Sequence, residues 1–372
     1  MKRYSVQTIR EGNKRYFYIQ DCETYEIVSL PTKFLMHKLR SNRSPNTVRR
    51  EAFAICSYLE YLNEKQMMLY EVEELSFEKQ SEHFVAFLYW LKRGTYRQEE
   101  TGKVITNGTC NSYLKSVFRL FNFLEQDNDD LPGLKVLSYN YEYVHNSVGV
   151  KRTIRFQSFK GYLKEEEHRA IPAKQDEIIE ILGACNNCRD QLLILLMAET
   201  GFRIGEILGI NYIKDIDYMQ HTIKVCFRED NDNDARAKNA EYRSAKISDD
   251  TFDFLLCYLS EYRELLQHQN YLFVNIEGKT VGKALKAESV YDMLDRMERK
   301  TNIKLTPHML RRYFANMRRK AGWSLELIQQ AIGHKNIQTT IRYLNIQDDE
   351  LLNASEEFYA KYSALYPIDQ FL

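Results

Sequence analysis

The sequence predicts a mainly α-helical protein with small β-hairpin and sheet elements, divided into an N-terminal helical domain and a C-terminal α+β domain. Length is the first observation, because 372 residues exceed one ordinary compact core. Composition is the second: Tyr (26) and Phe (19) are plentiful while Gly (15) and Pro (6) are scarce, as in folded, helix-rich chains. The third is that apolar residues recur mostly at steps of three and four, with two-residue alternation in short stretches only.

Residues 1–40 are predicted to form a small β-hairpin unit that leads into a short helix. Alternating runs at 16–19 and 25–28 flank the turn-like tetrapeptide 21–24. We therefore expect these two runs to pair as the strands of the hairpin.

Residues 41–150 are predicted to form a compact helical domain. Ser44 followed by Pro45 is a helix-start signal, because proline is favoured in the first helical turn. Apolar side chains then recur at helical steps along this helix and two later ones. The expected core positions are Val48, Ala52, Ile55, Leu59 and Leu62 on the first helix, Phe84, Phe87, Leu88 and Leu91 on the second, and Leu114, Val117, Phe118, Phe121 and Leu124 on the third.

Residues 151–172 are basic and lack a sustained period, which predicts an interdomain linker. The remainder, 173–372, is expected to form the second domain with a C-terminal tail. Its apolar run 192–198 predicts a buried central helix. Two-residue alternation over 222–228 predicts a strand, with 244–248 as its partner.

Charge is segregated along the chain although 52 basic and 52 acidic residues cancel. The segment 301–345 contains eight basic residues against the single acid Glu326, a net charge of +7. The segment 33–50 contains six basic residues and no acid. Such blocks are typical of a polyanion-binding surface, and the alternative is an ordinary solvated helix face.

The sequence excludes several protein classes. Its longest apolar run, 192–198, is far shorter than a bilayer span, and no N-terminal run resembles a signal peptide, so we expect a cytoplasmic protein. An odd number of cysteines, seven, favours reduced thiols over a disulfide framework. Cys185 and Cys188 have the spacing of half a zinc site, but no second pair accompanies them. No metal or cofactor is predicted.

Two pairs of polar residues have spacings that suit a phosphate site. A separation of three places His308 and Arg311 on one face of a helix. The same spacing lets the Glu206 carboxylate orient the Arg203 guanidinium, whose planar fork matches two phosphate oxygens. Taken singly, each pair is also what an ordinary helix ion pair or chance produces.

The ordered set of motifs resembles the tyrosine recombinases, the family of phage integrases, Xer-type resolvases and transposon recombinases. The resemblance covers 171–357, about half of the chain, and is carried by LTPHMLRR at 305–312 and LIQQAIGH at 327–334. It implies six catalytic residues, with Glu206 as a supporting residue. These are Arg203 as the first arginine, Lys238 as the hairpin lysine, His308 and Arg311 as the HxxR pair, His334 as the second histidine and Tyr343 as the nucleophile.

The roles implied by the resemblance agree with the residue types. A tyrosine hydroxyl has a pKa of about 10 and needs a base, for which His308 is the candidate. Arg203, Arg311 and His334 offer fixed donors to the phosphate in flight without a metal ion. Lys238 is expected to protonate the departing 5′ oxygen. The implied intermediate is a 3′-phosphotyrosyl link.

The identity of the catalytic lysine remains open between three residues. Lys238 is favoured because Arg243 follows it by five positions and a strand-like stretch comes next. It stands 35 positions after Arg203, a longer separation than in compact members of the family. Lys224 and Lys246 are the alternatives.

The resemblance also implies the architecture and the partners. We expect a helical, SAM-like core-binding domain beside an α+β catalytic domain, acting as a tetramer on two double-stranded DNA sites with inverted-repeat cores, with an accessory DNA-bending factor as an option. The expected DNA-binding residues are Arg43, Arg49, Arg50, Lys151, Arg152, Arg312 and Lys335. The tail beyond Tyr343 is expected to pack on a neighbouring protomer or on its own domain.

Site-specific recombination for a mobile genetic element is the predicted function. Three alternatives stay open at this stage: a type IB topoisomerase, an Xer-like dimer resolvase, and a DNA-binding protein without enzymatic activity. The presence of the full set of catalytic residue types argues against the last of these.

Overall fold

The computed structural model describes residues 2–12, 14–94, 105–127, 133–145, 151–166, 171–228, 231–233, 235, 242–344 and 348–362, with the backbone alone for 139–145, 151–157 and 348–354. The chain divides into two compact units, Met1–His168 and Arg169–Leu372. Lys238 lies outside the described residues. As predicted, the described chain is mostly helical with small sheets.

The first unit combines two β-hairpins with a group of helices. Its elements are β1 (Tyr4–Glu11), β2 (Lys14–Asp21), α1 (Ser29–Arg40), α2 (Pro45–Glu64), α3 (Leu69–Glu74), α4 (Phe77–Arg93), α5 (Asn107–Asp127), a 3-10 turn (Lys135–Leu137), β3 (Tyr139–His145) and β4 (Lys151–Gln157). Every apolar position predicted for α2, α4 and α5 is buried. The helical steps of three and four therefore identified the core of this unit correctly.

The N-terminal hairpin differs from the prediction in its pairing. Strand β2 pairs with the preceding β1, not with the following run 25–28. Gly12, at a φ of 58°, lies in the tight turn between the strands. After β2, the Asp21 carboxylate accepts the backbone N–H of Glu23 at 2.8 Å and turns the chain away. The later run forms only the isolated bridge from Ile27 to Gln20.

The predicted linker 151–172 is partly ordered in the first unit. Strand β4 pairs with β3, with Lys151 opposite His145. Phe159, just after β4, is buried in the aromatic core of this unit. The prediction of a linker is wrong for this stretch, because the alternation of β4 is too short to stand out from its basic surroundings.

The second unit surrounds a small antiparallel sheet with helices. Its elements are α6 (Gln175–Ala184), α7 (Cys188–Thr200), α8 (Ile204–Ile207), β5 (Ile216–Asp217), β6 (Thr222–Val225), β7 (Arg243–Lys246), α9 (Asp249–Glu261), α10 (Arg263–Leu266), α11 (Ala287–Thr301), α12 (Pro307–Lys320), α13 (Leu325–Ile332), α14 (Ile337–Tyr343) and α15 (Asp348–Lys361). The strand order is β5-β6-β7.

Two predictions for the second unit are confirmed. The run 192–198 lies in α7, a central helix that is buried on almost every side. Strand β6 pairs with β7, with Val225 opposite Arg243. Strand β6 ends at Val225, short of the predicted end, since Arg228 leaves the sheet to form an ion pair with Asp215 at 2.6 Å. Among the described residues, no helix is long and apolar enough to cross a membrane.

Candidate active site

The site begins where α7 ends. Gly201 terminates α7 in the left-handed conformation, at a φ of 63°. A side chain there would be strained, and its Cβ would lie 2.5 Å from the Phe314 ring on α12. This close approach of α7 and α12 sets Arg203 at the start of α8.

Glu206 lies at the centre of a network of arginine hydrogen bonds. Its carboxylate is fully buried and accepts Nη1 of Arg203 at 2.9 Å and the Arg203 backbone N–H at 2.6 Å. The ion pair that the spacing predicts is therefore present. Arg203 also donates from Nη2 to the Gly333 carbonyl at 2.9 Å, which ties α8 to the end of α13.

A second guanidinium, that of Arg243 on β7, donates to the same Glu206 carboxylate. In the sequence, Arg243 only helps to align the hairpin lysine and has no predicted role of its own. A single arginine in a short strand has no helical spacing to reveal its partner, which stands 37 positions earlier.

Arg311 is buried, with 1% of its surface exposed. It donates from Nη1 to the Gly201 carbonyl at 2.6 Å and from Nη2 to the Ile332 carbonyl. Burial, together with the charge of Arg203, lowers the pKa of Arg311 to about 10. The guanidinium remains charged at neutral pH and is held in one orientation by the ends of α7 and α13.

Tyr343, at the end of α14, lies beside both residues of the HxxR pair. Its hydroxyl lies 3.2 Å from Nδ1 of the exposed His308, within hydrogen-bonding distance. The Arg312 guanidinium lies 4.4 Å from the centroid of the tyrosine ring, and that of Arg311 lies 5.9 Å away. Three residues predicted from two motifs thus come together: His308 and Arg311 of the HxxR pair, and Tyr343.

His334 packs edge-on against the Tyr343 ring, with the two ring centroids 4.6 Å apart. Burial, and then the charges of Arg311 and Arg203, lower the pKa of His334 to about 3. The ring is consequently neutral at physiological pH. Its Nδ1 lies 3.2 Å from the hydroxyl of the buried Thr340. When Thr340 donates to Nδ1, the ring proton is on Nε2, where it is a hydrogen-bond donor.

The two alternative lysines lie on the far face of the sheet. Lys224 and Lys246 are exposed, whereas Ile223 and Val225 on the same β6 strand are buried. Because side chains alternate across a strand, Arg243, opposite Val225, lies on the buried face with Glu206. Neither lysine shares the face of the sheet that meets Glu206.

The chain that follows β6 is fastened to the end of α8. Asn233 is 4% exposed, and its Nδ2 donates to the carbonyls of Leu208 at 2.9 Å and Leu285 at 3.0 Å. The sequence assigns no role to Asn233. Its partners are distant in sequence, so no local pattern marks it.

The predicted DNA-binding residues are divided between the units. Arg43, Arg49 and Arg50 are exposed in the first unit, and Lys335 is exposed in the second. Lys151 and Arg152 lie on β4, where only the backbone is described. Arg312 does not point away from the cluster, because its guanidinium covers the Tyr343 ring and donates to the Arg342 carbonyl at 3.3 Å.

Cys185 and Cys188, which have the spacing of half a zinc site, make other contacts. The Cys185 thiol donates to the Ile181 carbonyl at 3.2 Å, and the Cys188 thiol donates to Glu261 at 3.1 Å. Over the described residues, no three His, Cys, Asp or Glu side chains are grouped so that they could hold a metal ion.

Comparisons with known proteins identify relatives of this chain. Residues 172–350 match the model of the phage integrase family. Transposase A from transposon Tn554 of Staphylococcus aureus is 26% identical over 374 residues, which cover 95% of this chain and 97% of that protein. Tyrosine recombinase XerA of Saccharolobus solfataricus is 27% identical over 255 residues, covering 67% of this chain and 77% of that protein.

Solved structures share the fold. The Tn1549 transposon integrase in complex with transposon right end DNA superposes with a TM-score of 0.58 at 18% identity, covering 88% of this chain and 98% of that one. The XerH recombinase bound to palindromic difH substrate gives a TM-score of 0.58 at 19% identity, covering 83% and 79%. The predicted fold class, a helical N-terminal domain with an α+β catalytic domain of this type, is confirmed.

Proposed function

We propose that this chain, which belongs to the phage integrase family of site-specific tyrosine recombinases, moves a mobile genetic element by cutting and rejoining DNA through Tyr343. One observation carries the chemistry: the Tyr343 hydroxyl meets a histidine nitrogen at 3.2 Å beside arginine guanidinium groups. The likeness to the Tn554 transposase supports the mobile element, since it extends over 95% of the chain, including the N-terminal unit.

In the proposed first step, the Tyr343 oxygen attacks the scissile phosphorus while His308 accepts the phenolic proton at Nδ1. A base within hydrogen-bonding distance is what a weak hydroxyl nucleophile requires. The positive charge of Arg311 and Arg312 near the ring favours the phenolate that develops. The new bond is Tyr343 Oη to phosphorus, which gives the phosphotyrosyl intermediate.

Charge on the transferring phosphoryl group is stabilised by groups that are already fixed. Arg203 is held by Glu206 and Gly333, and Arg311 by two backbone carbonyls, so neither has to reorganise during the reaction. His334, neutral at physiological pH, contributes a hydrogen bond rather than a charge. These residues take the place that metal ions have in other phosphoryl transfers.

The bond that breaks joins phosphorus to the 5′ oxygen, which leaves with a proton supplied by Lys238. We prefer Lys238 as the proton donor because Lys224 and Lys246 lie on the exposed face of the sheet. In the second step, the 5′ hydroxyl of another strand attacks the phosphotyrosyl group, and the same residues act in reverse. The energy of the phosphodiester bond is retained throughout.

The proposed partner is double-stranded DNA with inverted-repeat core sites, bound by a tetramer. An accessory DNA-bending factor is an optional further partner. Arg43, Arg49 and Arg50 lie exposed at the start of α2, where they suit phosphate contacts. The tail helix α15 exposes Phe358 at 48% and Tyr359 at 64%, an apolar surface suited to packing on a neighbouring protomer.

A suicide duplex tests the proposal. Nicked, labelled duplexes tiling the DNA on both sides of the encoding gene lose a short 5′-hydroxyl fragment on cleavage, which traps the covalent adduct. We expect the wild type to form an SDS-resistant protein–DNA adduct and Tyr343→Phe to form none. Tyr291→Phe, an exposed tyrosine on α11, is the matched control and retains the adduct. An adduct with Tyr343→Phe, or none with the wild type on any duplex, contradicts the proposal.

A further inference from the structure

The carboxylate that orients Arg203 is shared with a second arginine. One oxygen of Glu206, Oε1, accepts Nη1 of Arg203 at 2.9 Å. The other, Oε2, accepts both the Arg203 backbone N–H at 2.6 Å and Nη2 of Arg243. Arg243 therefore belongs to the same hydrogen-bonded unit as the first catalytic arginine, although it lies on β7 and not on α8.

The sharing changes the charge available to a substrate phosphate. Arg203 and Glu206 alone form a neutral pair in which the carboxylate cancels the field of the guanidinium. With Arg243, the three side chains carry a net charge of +1, at a carboxylate with no exposed surface. Charge in such a shielded place is only weakly screened by solvent.

Arg243 is built into the site in the manner of a functional group. Its side chain is 9% exposed and its Cζ lies 5.0 Å from the Phe202 ring centroid, so its position is fixed. Its Nε and Nη1 are buried and have no hydrogen-bond partner among the described residues, and the same is true of Nε of Arg311. Buried donors without partners are costly, and an anion at the site would offset that cost.

We infer that Arg243 is a positioning residue for DNA cleavage, which acts through Glu206 to hold Arg203 and to keep that arginine's charge available to the scissile phosphate. The inference rests on the proposed function. It assigns β7 an indirect part in the reaction, through Glu206 and Arg203.

The experiment compares two versions of the suicide duplex, one with the natural scissile phosphate and one with a methylphosphonate there. Replacing one non-bridging oxygen by methyl removes the negative charge that Arg203 is proposed to stabilise. The rate ratio between the two duplexes, measured on one protein preparation, does not depend on how much of that preparation is folded. A purely structural defect therefore leaves the ratio at its wild-type value.

We expect Arg243→Met to slow cleavage of the phosphate duplex by roughly 10- to 100-fold and to change cleavage of the methylphosphonate duplex by less than about 3-fold. Arg203→Met is expected to show the same pattern with a larger loss. Arg243→Lys keeps the charge and should recover part of the rate on the phosphate duplex.

Arg189→Met is the matched control. Arg189 is a buried arginine of the same unit, and its side chain is 10% exposed. It forms an ion pair with the buried Asp190 at 2.6 Å and has no role in the proposed reaction. Its loss should leave the rate ratio unchanged. Equal slowing of Arg243→Met on both duplexes, or wild-type rates on both, overturns the inference. An adduct with Tyr343→Phe would instead overturn the proposed function.

Discussion

A tyrosine hydroxyl meets a histidine ring in each of the two units, with opposite consequences. In the first unit (the helical unit), the Tyr58 hydroxyl lies 2.9 Å from Nε2 of His83. In the second unit (the catalytic unit), the Tyr343 hydroxyl lies 3.2 Å from Nδ1 of His308. The residue types are the same, and the two bonds differ in the ring nitrogen and slightly in length, so we compare the pairs by their surroundings.

The pair in the helical unit is enclosed by aromatic rings. The Tyr58 ring is 5.1 Å from that of Phe87, centroid to centroid, in an edge-on contact, and Phe84 and Phe121 complete the enclosure. Burial raises the pKa of Tyr58 well above its ordinary value and lowers the pKa of His83 to about 4. Both groups are locked in their neutral forms, and the bond between them stabilises the fold.

The pair in the catalytic unit lies among cations and is open to solvent on the histidine side. Arg312 covers the Tyr343 ring at 4.4 Å, and His308 is exposed. In the proposed reaction, the cation lies where negative charge develops on the Tyr343 oxygen, and the base that takes its proton is accessible to solvent. The same two residue types therefore form a neutral, enclosed pair in one unit and, under the proposed function, a nucleophile and its base among cations in the other.

The largest effect that separates the two pairs is expected from replacing each histidine by glutamine. His308→Gln removes the proposed base and should slow adduct formation by about 100- to 10,000-fold with little change in stability. His83→Gln should leave the rate per folded molecule within about 2-fold and lower the unfolding free energy by about 1–3 kcal/mol. Adduct kinetics and urea unfolding on both variants measure this. Wild-type cleavage by His308→Gln would refute the assignment of the base.

The next effect is a dependence of stability on pH. The pKa of His83 is lowered to about 4, so between about pH 6.5 and pH 4 the unfolded chain binds a proton that the folded unit does not. Stability of the helical unit should therefore be full above pH 6.5 and fall as the pH drops, by up to about 3 kcal/mol near pH 4.

The two tryptophans of the chain make this measurable unit by unit. In a Trp323→Phe background, fluorescence from the buried Trp90 reports the helical unit alone. His83→Gln should flatten the pH dependence of that signal. In a Trp90→Phe background, Trp323 reports the catalytic unit, where His83→Gln should change nothing. An undiminished pH dependence in the first background would show that another group causes it.

The sequence predicted the helical unit well where its signals are local. The apolar steps along α2, α4 and α5 each lie within one helix, and all of the predicted positions are buried. The pairing of β1 with β2 was not predicted, because a two-residue alternation identifies a strand but does not say whether its partner precedes or follows it. His83 escaped for a related reason: a polar residue on the buried face of α4 is acceptable only because Tyr58, 25 positions away, satisfies it.

In the catalytic unit, the sequence located the residues that motifs carry and missed those that hold them. Arg311 and Tyr343 stand in recognisable stretches and come together as expected. Arg243 and Asn233 act through partners 37 and 52 positions away, Glu206 and Leu285, and only the folded chain reveals these contacts. Sequence patterns report the chemistry of this site, whereas long-range packing determines its support.

The smallest effect concerns Lys151 and Arg152, two basic residues at adjacent positions of β4. Lys151 stands opposite His145, and Arg152 stands opposite Val144, so alternation puts them on different faces. In the sequence, Arg152 alternates with Ile154 and Phe156, whereas Lys151 alternates with Thr153, Arg155 and Gln157. Both residues are predicted to bind DNA, and the polar alternation that includes Lys151 is the pattern that favours contact with a phosphate backbone.

We therefore expect Lys151→Ala to weaken DNA binding a few-fold and to reduce the salt slope by about 1, the amount for one phosphate contact. Arg152→Ala removes the same charge from the other face and should leave the slope unchanged. Fluorescence anisotropy with one duplex, titrated from low to high salt, measures both. Because the two variants have the same net charge, a general electrostatic effect would lower both slopes equally, and that result would rule out a DNA-facing side of the hairpin.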